Sequence, residues 1–163
     1  MLGIVGLGNI GRKLALKAIG LGMSVVANDP YADLDELLKI SDYVSLHVFG
    51  VADNAALINA EKLALMKPTA CLLNLSRGEV IDLDAVAAAL EGDRLGGVAL
   101  DAYVSEPPDA THPIFRHPRL VCTPHSGADT KEAVENVGLM VIEDIQTIID
   151  GKIPRRCLNV ADL

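Results

Sequence analysis

Residues 2–11 read Leu2-Gly3-Ile4-Val5-Gly6-Leu7-Gly8-Asn9-Ile10-Gly11, an apolar run that breaks into a glycine-spaced turn and then into a helical pattern. A short unbroken apolar stretch of this kind suits a strand buried on both faces of a parallel sheet. The helical pattern runs from Asn9 to Leu21. In it Ile10, Leu14 and Ala18 recur at four-residue spacing, Arg12, Lys13 and Lys17 lie off that stripe, and the Gly20–Gly22 stretch stops it. Gly6, Gly8 and Gly11 therefore form a GxGxxG turn set between a strand and an amphipathic helix, the context that gives this otherwise common spacing its meaning.

Each glycine has a physical use. One permits the tight turn, one lets the backbone approach a pyrophosphate closely, and one lets the helix pack against the strand. Backbone N–H groups at the helix start, around Asn9 and Ile10, face the phosphates, and the helix dipole favours their charge. Asp29 ends the next apolar run, Met23–Asn28, about 20 residues beyond the glycines, where a carboxylate accepts hydrogen bonds from ribose hydroxyls. It also repels a 2′-phosphate, and Pro30 and Tyr31 follow it instead of an arginine, so NAD is expected over NADP. The bland reading of Asp29-Pro30 is the start of a turn.

Outward from this stretch, apolar bursts alternate with helical patterns along nearly the whole chain. Further strands are expected at Tyr43–Val48, Ala70–Leu75, Val98–Asp101 and Leu120–Cys122. Helices are expected at Leu34–Ile40, at Ala60–Met66 behind an Asn59 cap, and at Leu83–Glu91 between Asp82 and Gly92. A last helix spans Thr130–Asp150, opened by Asp129 with Glu132 three residues on. Strand–helix alternation implies right-handed crossovers and an α/β fold, a Rossmann doubly wound parallel sheet formed by residues 1–163 as a single domain. The last helix carries apolar residues on more than one face, so a second surface should cover it.

Composition narrows the partners. Half of the 163 residues are hydrophobic but only 3% are aromatic, so the core is aliphatic. A net charge of −8 opposes a nucleic-acid partner, whose phosphates require clustered Lys and Arg. No run approaches the roughly 18 apolar residues of a membrane span, and the apolar start lacks the basic leader of a signal peptide. Cys71, Cys122 and Cys157 are too scattered for a disulfide framework or metal site and are expected as buried reduced thiols of a cytoplasmic protein. His112 and His117, five apart among prolines, are expected as loop residues, and no metal site is expected.

Three later segments each follow an apolar strand: Asn74-Leu75-Ser76-Arg77-Gly78, Asp101-Ala102-Tyr103-Val104-Ser105-Glu106-Pro107, and Thr123-Pro124-His125-Ser126-Gly127. In an open parallel sheet ligands bind at the carboxyl ends of strands, so Arg77, Glu106 and His125 are expected to converge. A guanidinium holds a carboxylate in bidentate fashion and polarises a neighbouring carbonyl. An imidazole exchanges a proton with the carbonyl oxygen, and a nearby carboxylate favours its charged form. Singly, each of the three has a structural reading, as a solvated turn, a loop entry and a helix start.

In this order after GxGxxG and Asp29, the segments resemble the D-isomer-specific 2-hydroxyacid dehydrogenase family over nearly the whole chain. The resemblance implies an oxidoreductase moving hydride between NAD(H) and a D-2-hydroxy or 2-oxo acid. Arg77 would bind substrate, Glu106 would partner the histidine, and His125 would be the acid/base. It places Asp101 against the nicotinamide carboxamide and Asn74 and Leu75 close to the ring. His47, in the Leu46-His47-Val48 string, lines the cofactor cleft, and Gly127 joins the cofactor-binding set. Phe49, Gly50 and Val51 depart from the proline and threonine-bearing loop usual at that point. The family's N-terminal substrate domain is not in this sequence, so a fragment of such an enzyme, with homo-oligomeric association through uncovered apolar surface, is the leading expectation. The alternative is a module that binds or senses NAD without catalysis.

Overall fold

The opening apolar run forms β1 (Leu2–Val5), and the later runs form β2 (Val25–Asn28), β3 (Tyr43–Leu46), β4 (Cys71–Asn74), β5 (Gly97–Leu100) and β6 (Leu120–Cys122). Between them stand α1 (Asn9–Gly20), α2 (Leu34–Ile40), α3 (Ala60–Leu65) and α4 (Leu83–Glu91), and α5 (Lys131–Ile149) follows β6. This computed structural model describes residues 1–28, 33–50 and 56–157. They fall into two compact units, Met1–His125 and Ser126–Leu163.

Six strands of the first unit make one parallel sheet in the order β2-β1-β3-β4-β5-β6. The doubly wound expectation is met: β1 has β2 on one side and β3 on the other, so the winding reverses between β1 and β3, and ligand crevices open at such a reversal. Register does the rest. Val5 lies beside Leu46, Leu46 beside Asn74, Asn74 beside Leu100, and Leu100 beside Cys122. The residues that come next, Gly6, His47, Leu75, Asp101 and Thr123, therefore stand in a row along the carboxyl edge.

Alternate residues of β1 serve different layers, as the two-residue period of a strand requires. Leu2 and Ile4 pack with Ala18 and Leu14 of α1, while Val5 joins the large cluster with Leu37, Leu38, Leu46, Leu72, Val86, Leu90 and Leu100. Full burial of each leucine or isoleucine there contributes about 1.5–3 kcal/mol. On the opposite face Tyr43 and Val121 are exposed, and Cys71 and Leu73 are half-buried.

The expected caps at Asn59 and Asp82 are present, accepting from the N–H groups of Lys62 and Ala85. At α5 the cap is Thr130, whose hydroxyl accepts from Ala133 N–H, and not Asp129; the helix starts one residue later than the capping-box pattern suggested. Ile10 belongs to the predicted stripe of α1 but is 65% exposed, because the first turn overhangs the carboxyl edge of the sheet. The cysteines are not buried as expected: Cys122 is exposed, and Cys71 and Cys157 are half-buried. In the second unit no residue of α5 is buried, and Arg156 folds back along the helix onto Asp144 (2.8 Å), Glu143 (2.7 Å) and the Met140 carbonyl (3.0 Å).

Candidate active site

The glycine turn is built by steric exclusion. Gly6 has φ +95°, and a Cβ there would lie 2.5 Å from the His47 carbonyl oxygen. A Cβ on Gly11 would lie 2.1 Å from the Gly6 carbonyl oxygen, so α1 reaches the turn only because residue 11 has no side chain. Gly8 is different, since a Cβ there would meet nothing within 4 Å. It is the N-cap of α1 and gives the helix no side-chain cap, which leaves the first-turn N–H groups at Asn9 and Ile10 for an anion. Arg12 Nε donates to the Leu7 carbonyl at 2.8 Å and pins the turn from below.

Two cavities meet at this turn. One, of about 530 Å³, is lined by Gly6, Leu7, Arg12 and Asn28; the other, of about 390 Å³, by Asn9, Ile10, Leu75, Ser76 and Arg77. They share Gly8, His47, Val48 and Phe49. An elongated ligand with its charged middle at the glycine turn and one arm in each cavity fits this shape, and that is the form of a dinucleotide. His47 sits where the arms join. Its Nε2 is 2.9 Å from the buried Ser45 hydroxyl, while its Nδ1 is buried without a hydrogen-bond partner among the described residues. Burial pushes this imidazole below the ordinary 6.5, so the ring is held neutral. Asp29 and Val51 lie outside the described residues, and Gly127 lies in the second unit.

Next along the edge, Asn74 is fully buried at the end of β4 and organises the loop that follows. Its Oδ1 accepts from the backbone N–H (3.2 Å) and hydroxyl (2.8 Å) of Ser76, and its Nδ2 donates to the Arg77 carbonyl at 2.9 Å. Leu75 is thereby turned outward, 43% exposed at the cavity wall. Arg77 enters the same cavity with Nη1 donating to the Ser76 carbonyl at 2.8 Å, and no carboxylate among the described residues pairs with its guanidinium. Gly50 lies against its stem, where a Cβ would come within 2.8 Å of Arg77 Cγ.

Past β5, Asp101 is buried and accepts from Thr123 Oγ1 at 2.5 Å. Past β6, His125 Nδ1 stands 2.6 Å from Glu106 Oε1, with both side chains partly exposed, 40% and 44%. A carboxylate accepts only, so Nδ1 carries the proton and Nε2 is the ring nitrogen not engaged with Glu106. His125 has φ +56°, the left-handed region that non-glycine residues enter at a cost and that recurs at functional sites. The structure thus joins Glu106 to His125 directly and seats Arg77 in the cleft, with no direct contact between the arginine and the pair. Sequence reading missed Ser45, Ser76, Tyr103 and Thr123. Ser45 and Ser76 were detectable, as a same-face partner two residues before His47 and as an Asn-x-Ser turn.

A doubly wound parallel sheet with a glycine turn and two joined cavities at its reversal point defines a dinucleotide-binding α/β domain. Residues 1–127 match the profile of the D-isomer specific 2-hydroxyacid dehydrogenase, NAD binding domain. The chain belongs to that family and is an NAD-binding domain of it. It is 39% identical to a D-3-phosphoglycerate dehydrogenase of Synechocystis, over 99% of this chain and 31% of that protein. It is 36% identical to a glyoxylate reductase of Thermococcus litoralis, over 97% of this chain and 51% of that protein. Among solved structures, the NAD-complexed D-isomer specific 2-hydroxyacid dehydrogenase of Lactobacillus delbrueckii ssp. bulgaricus superposes with a TM-score of 0.90 at 29% identity, covering 96% of this chain and 55% of that one. The chain therefore spans about a third to a half of the length of these relatives. No helix among the described residues is long and apolar enough to cross a membrane.

Proposed function

We propose that residues 1–163 are the NAD-binding domain of a dehydrogenase that interconverts a D-2-hydroxy acid and a 2-oxo acid, with the second wall of the substrate cleft supplied by a substrate domain outside these residues. The observation that carries this reading is the His125–Glu106 pair at 2.6 Å, on the same sheet edge as the cleft that holds the Arg77 guanidinium, which pairs with no carboxylate among the described residues.

Bound NADH supplies the hydride; the chain supplies orientation and charge. Gly6, Gly8 and Gly11, with the N–H groups of Asn9 and Ile10, hold the pyrophosphate, and Asp29 takes the ribose hydroxyls. His47, Asn74, Leu75, Asp101 and Gly127 complete the cofactor set. Arg77 takes the substrate carboxylate and draws electron density from the adjacent carbonyl. His125 Nε2 donates the proton that the carbonyl oxygen needs as it becomes a hydroxyl, and Glu106 stabilises the imidazolium and fixes which nitrogen faces substrate. In the reverse direction the same Nε2 removes the hydroxyl proton.

The test is loss of NADH absorbance with glyoxylate, hydroxypyruvate and pyruvate, beside an NADH-binding titration. Turnover that falls about 100-fold or more in His125→Ala, with NADH affinity kept, supports the assignment; unchanged turnover removes it. The exposure of the His125–Glu106 pair favours a second reading, an NAD-binding module that does not turn over. Binding without turnover for every acid, in the chain supplied with a family substrate domain as well as alone, would select it.

A further inference from the structure

Tyr103 touches all three reactive loops, and the chemistry above makes no use of it. On the first side its backbone is packed on the Arg77 loop: a Cβ added to Gly78 would lie 2.1 Å from both Tyr103 C and Val104 N, a contact only glycine permits. On the second, Tyr103 N–H donates to Glu106 Oε1 at 3.4 Å, the same oxygen that faces His125 Nδ1. On the third, its hydroxyl donates to the Thr123 carbonyl at 2.8 Å, with the Leu100 carbonyl 3.3 Å away, two residues ahead of His125.

We infer that Tyr103 is a positioning residue, whose hydroxyl ties the His125 loop to the loop carrying Glu106 and so holds the acid/base pair in register with Arg77; the inference rests on the dehydrogenase reading above. The end of β6 is also held to β5 by Thr123 N–H on the Leu100 carbonyl (3.0 Å) and Thr123 Oγ1 on Asp101. Both contacts lie before Pro124, and His125 beyond it holds a left-handed backbone conformation. The Tyr103 hydroxyl fixes the direction of the Thr123 carbonyl, and with it the peptide that leads into Pro124 and His125. The ring is itself seated, 6.0 Å from the Phe115 ring centroid and tilted by 49°. Burial, and then the neighbouring Cys122 and Asp101, push the phenol above its ordinary 10.0, so it remains a proton donor through the working range. A phenylalanine at this position would keep the packing and the backbone contacts and lose the hydroxyl's contacts, the tie to the Thr123 carbonyl first among them.

The experiment is Tyr103→Phe in the 163-residue chain with ¹⁵N-labelled histidine, compared with Glu106→Gln, in which the pair is broken chemically. The expected result is that the His125 imidazole correlation moves toward its position in Glu106→Gln, while the correlations of His47, His112 and His117 and NADH affinity stay in place and the melting temperature falls by no more than about 4 °C. Where turnover is measurable, kcat falls about five- to tenfold, the effect of one hydrogen bond, with KM for NADH unchanged. An unmoved His125 signal overturns the inference. Movement of all four histidines together with loss of NADH affinity also overturns it, since that reports general loosening. If Tyr103→Phe does not fold, exchange of the Tyr103 hydroxyl proton in the parent chain decides: slow exchange supports the tie and fast exchange refutes it. A shifted His125 signal with no turnover of any acid, even when a family substrate domain is supplied, sinks the dehydrogenase reading and leaves the tie standing.

Discussion

Gly8→Ala and Gly11→Ala add the same methyl group to the same turn with opposite expected results. At residue 11 the new Cβ would sit 2.1 Å from the Gly6 carbonyl oxygen, where ordinary contact begins at 3.4 Å, so the start of α1 must move by more than about 1 Å. Alanine gains about 1 kcal/mol of helix propensity over glycine, while overpacking costs about 1–3 kcal/mol and more when the obstacle is backbone. Neither β1 nor the helix can turn this contact away, so a net loss of about 2 kcal/mol is expected, or about 4–8 °C in melting temperature for a chain this size. At residue 8 the Cβ meets nothing within 4 Å and the backbone φ of −72° suits any residue, so the fold should lose less than about 1 kcal/mol. That empty space is where the pyrophosphate must approach, and NADH affinity should fall at least about tenfold, some 1.4 kcal/mol. Thermal melts and NADH fluorescence titrations of both variants read the two effects separately. A Gly8→Ala chain that binds NADH like the parent, or a Gly11→Ala chain that melts with it, would refute the division of labour drawn here.

Asn74→Leu removes three hydrogen bonds from a fully buried side chain and should cost about 2–4 kcal/mol by urea unfolding, since Ser76 and the Arg77 carbonyl lose their partners; the parent's midpoint would contradict this. Gly50→Ala presses a methyl against the Arg77 stem and should raise KM for the 2-oxo acid several-fold with NADH affinity unchanged, as steady-state kinetics on a turning-over preparation would record. His47 titrates below 6.5 when folded, so the unfolded chain takes up the proton first; stability is full above pH 6.5 and declines as pH falls below it. Melting temperatures of His47→Gln should therefore decline less than the parent's below pH 6.5, and parallel curves would show that His47 is not the group responsible. The Asp42 carboxyl, held below its ordinary 3.8 first of all by the hydrogen bond from Lys67, contributes stability that is full above 3.8 and is lost as pH falls below it. Asp42→Asn should flatten the acid limb of the melting curve in that window, and an unaltered limb would discount the pairing.

The class of fold and the kind of ligand were legible in the amino-acid sequence. An aliphatic strand, a glycine-spaced turn and an amphipathic helix leave few alternatives, because each constraint is local: burial period, backbone freedom and helix capping all act within about 20 residues. Asn59 and Asp82 were readable as caps for the same reason. What tertiary structure alone decided was adjacency. That Gly6 presses on the His47 carbonyl and that Gly78 packs on Tyr103 depends on which strands pair and in what register, and nothing in the spacing of those residues encodes it. The meeting of Glu106 with His125 was expected from the resemblance, and only its distance came from the structure. The capping of α5 by Thr130 in place of Asp129 turned on one residue of backbone geometry that the capping-box pattern does not resolve. The exposed Ile10, on a stripe that its spacing assigns to the core, shows the same limit: periodicity says which face of a helix a residue occupies, and only the position of the sheet edge says whether anything lies beneath it.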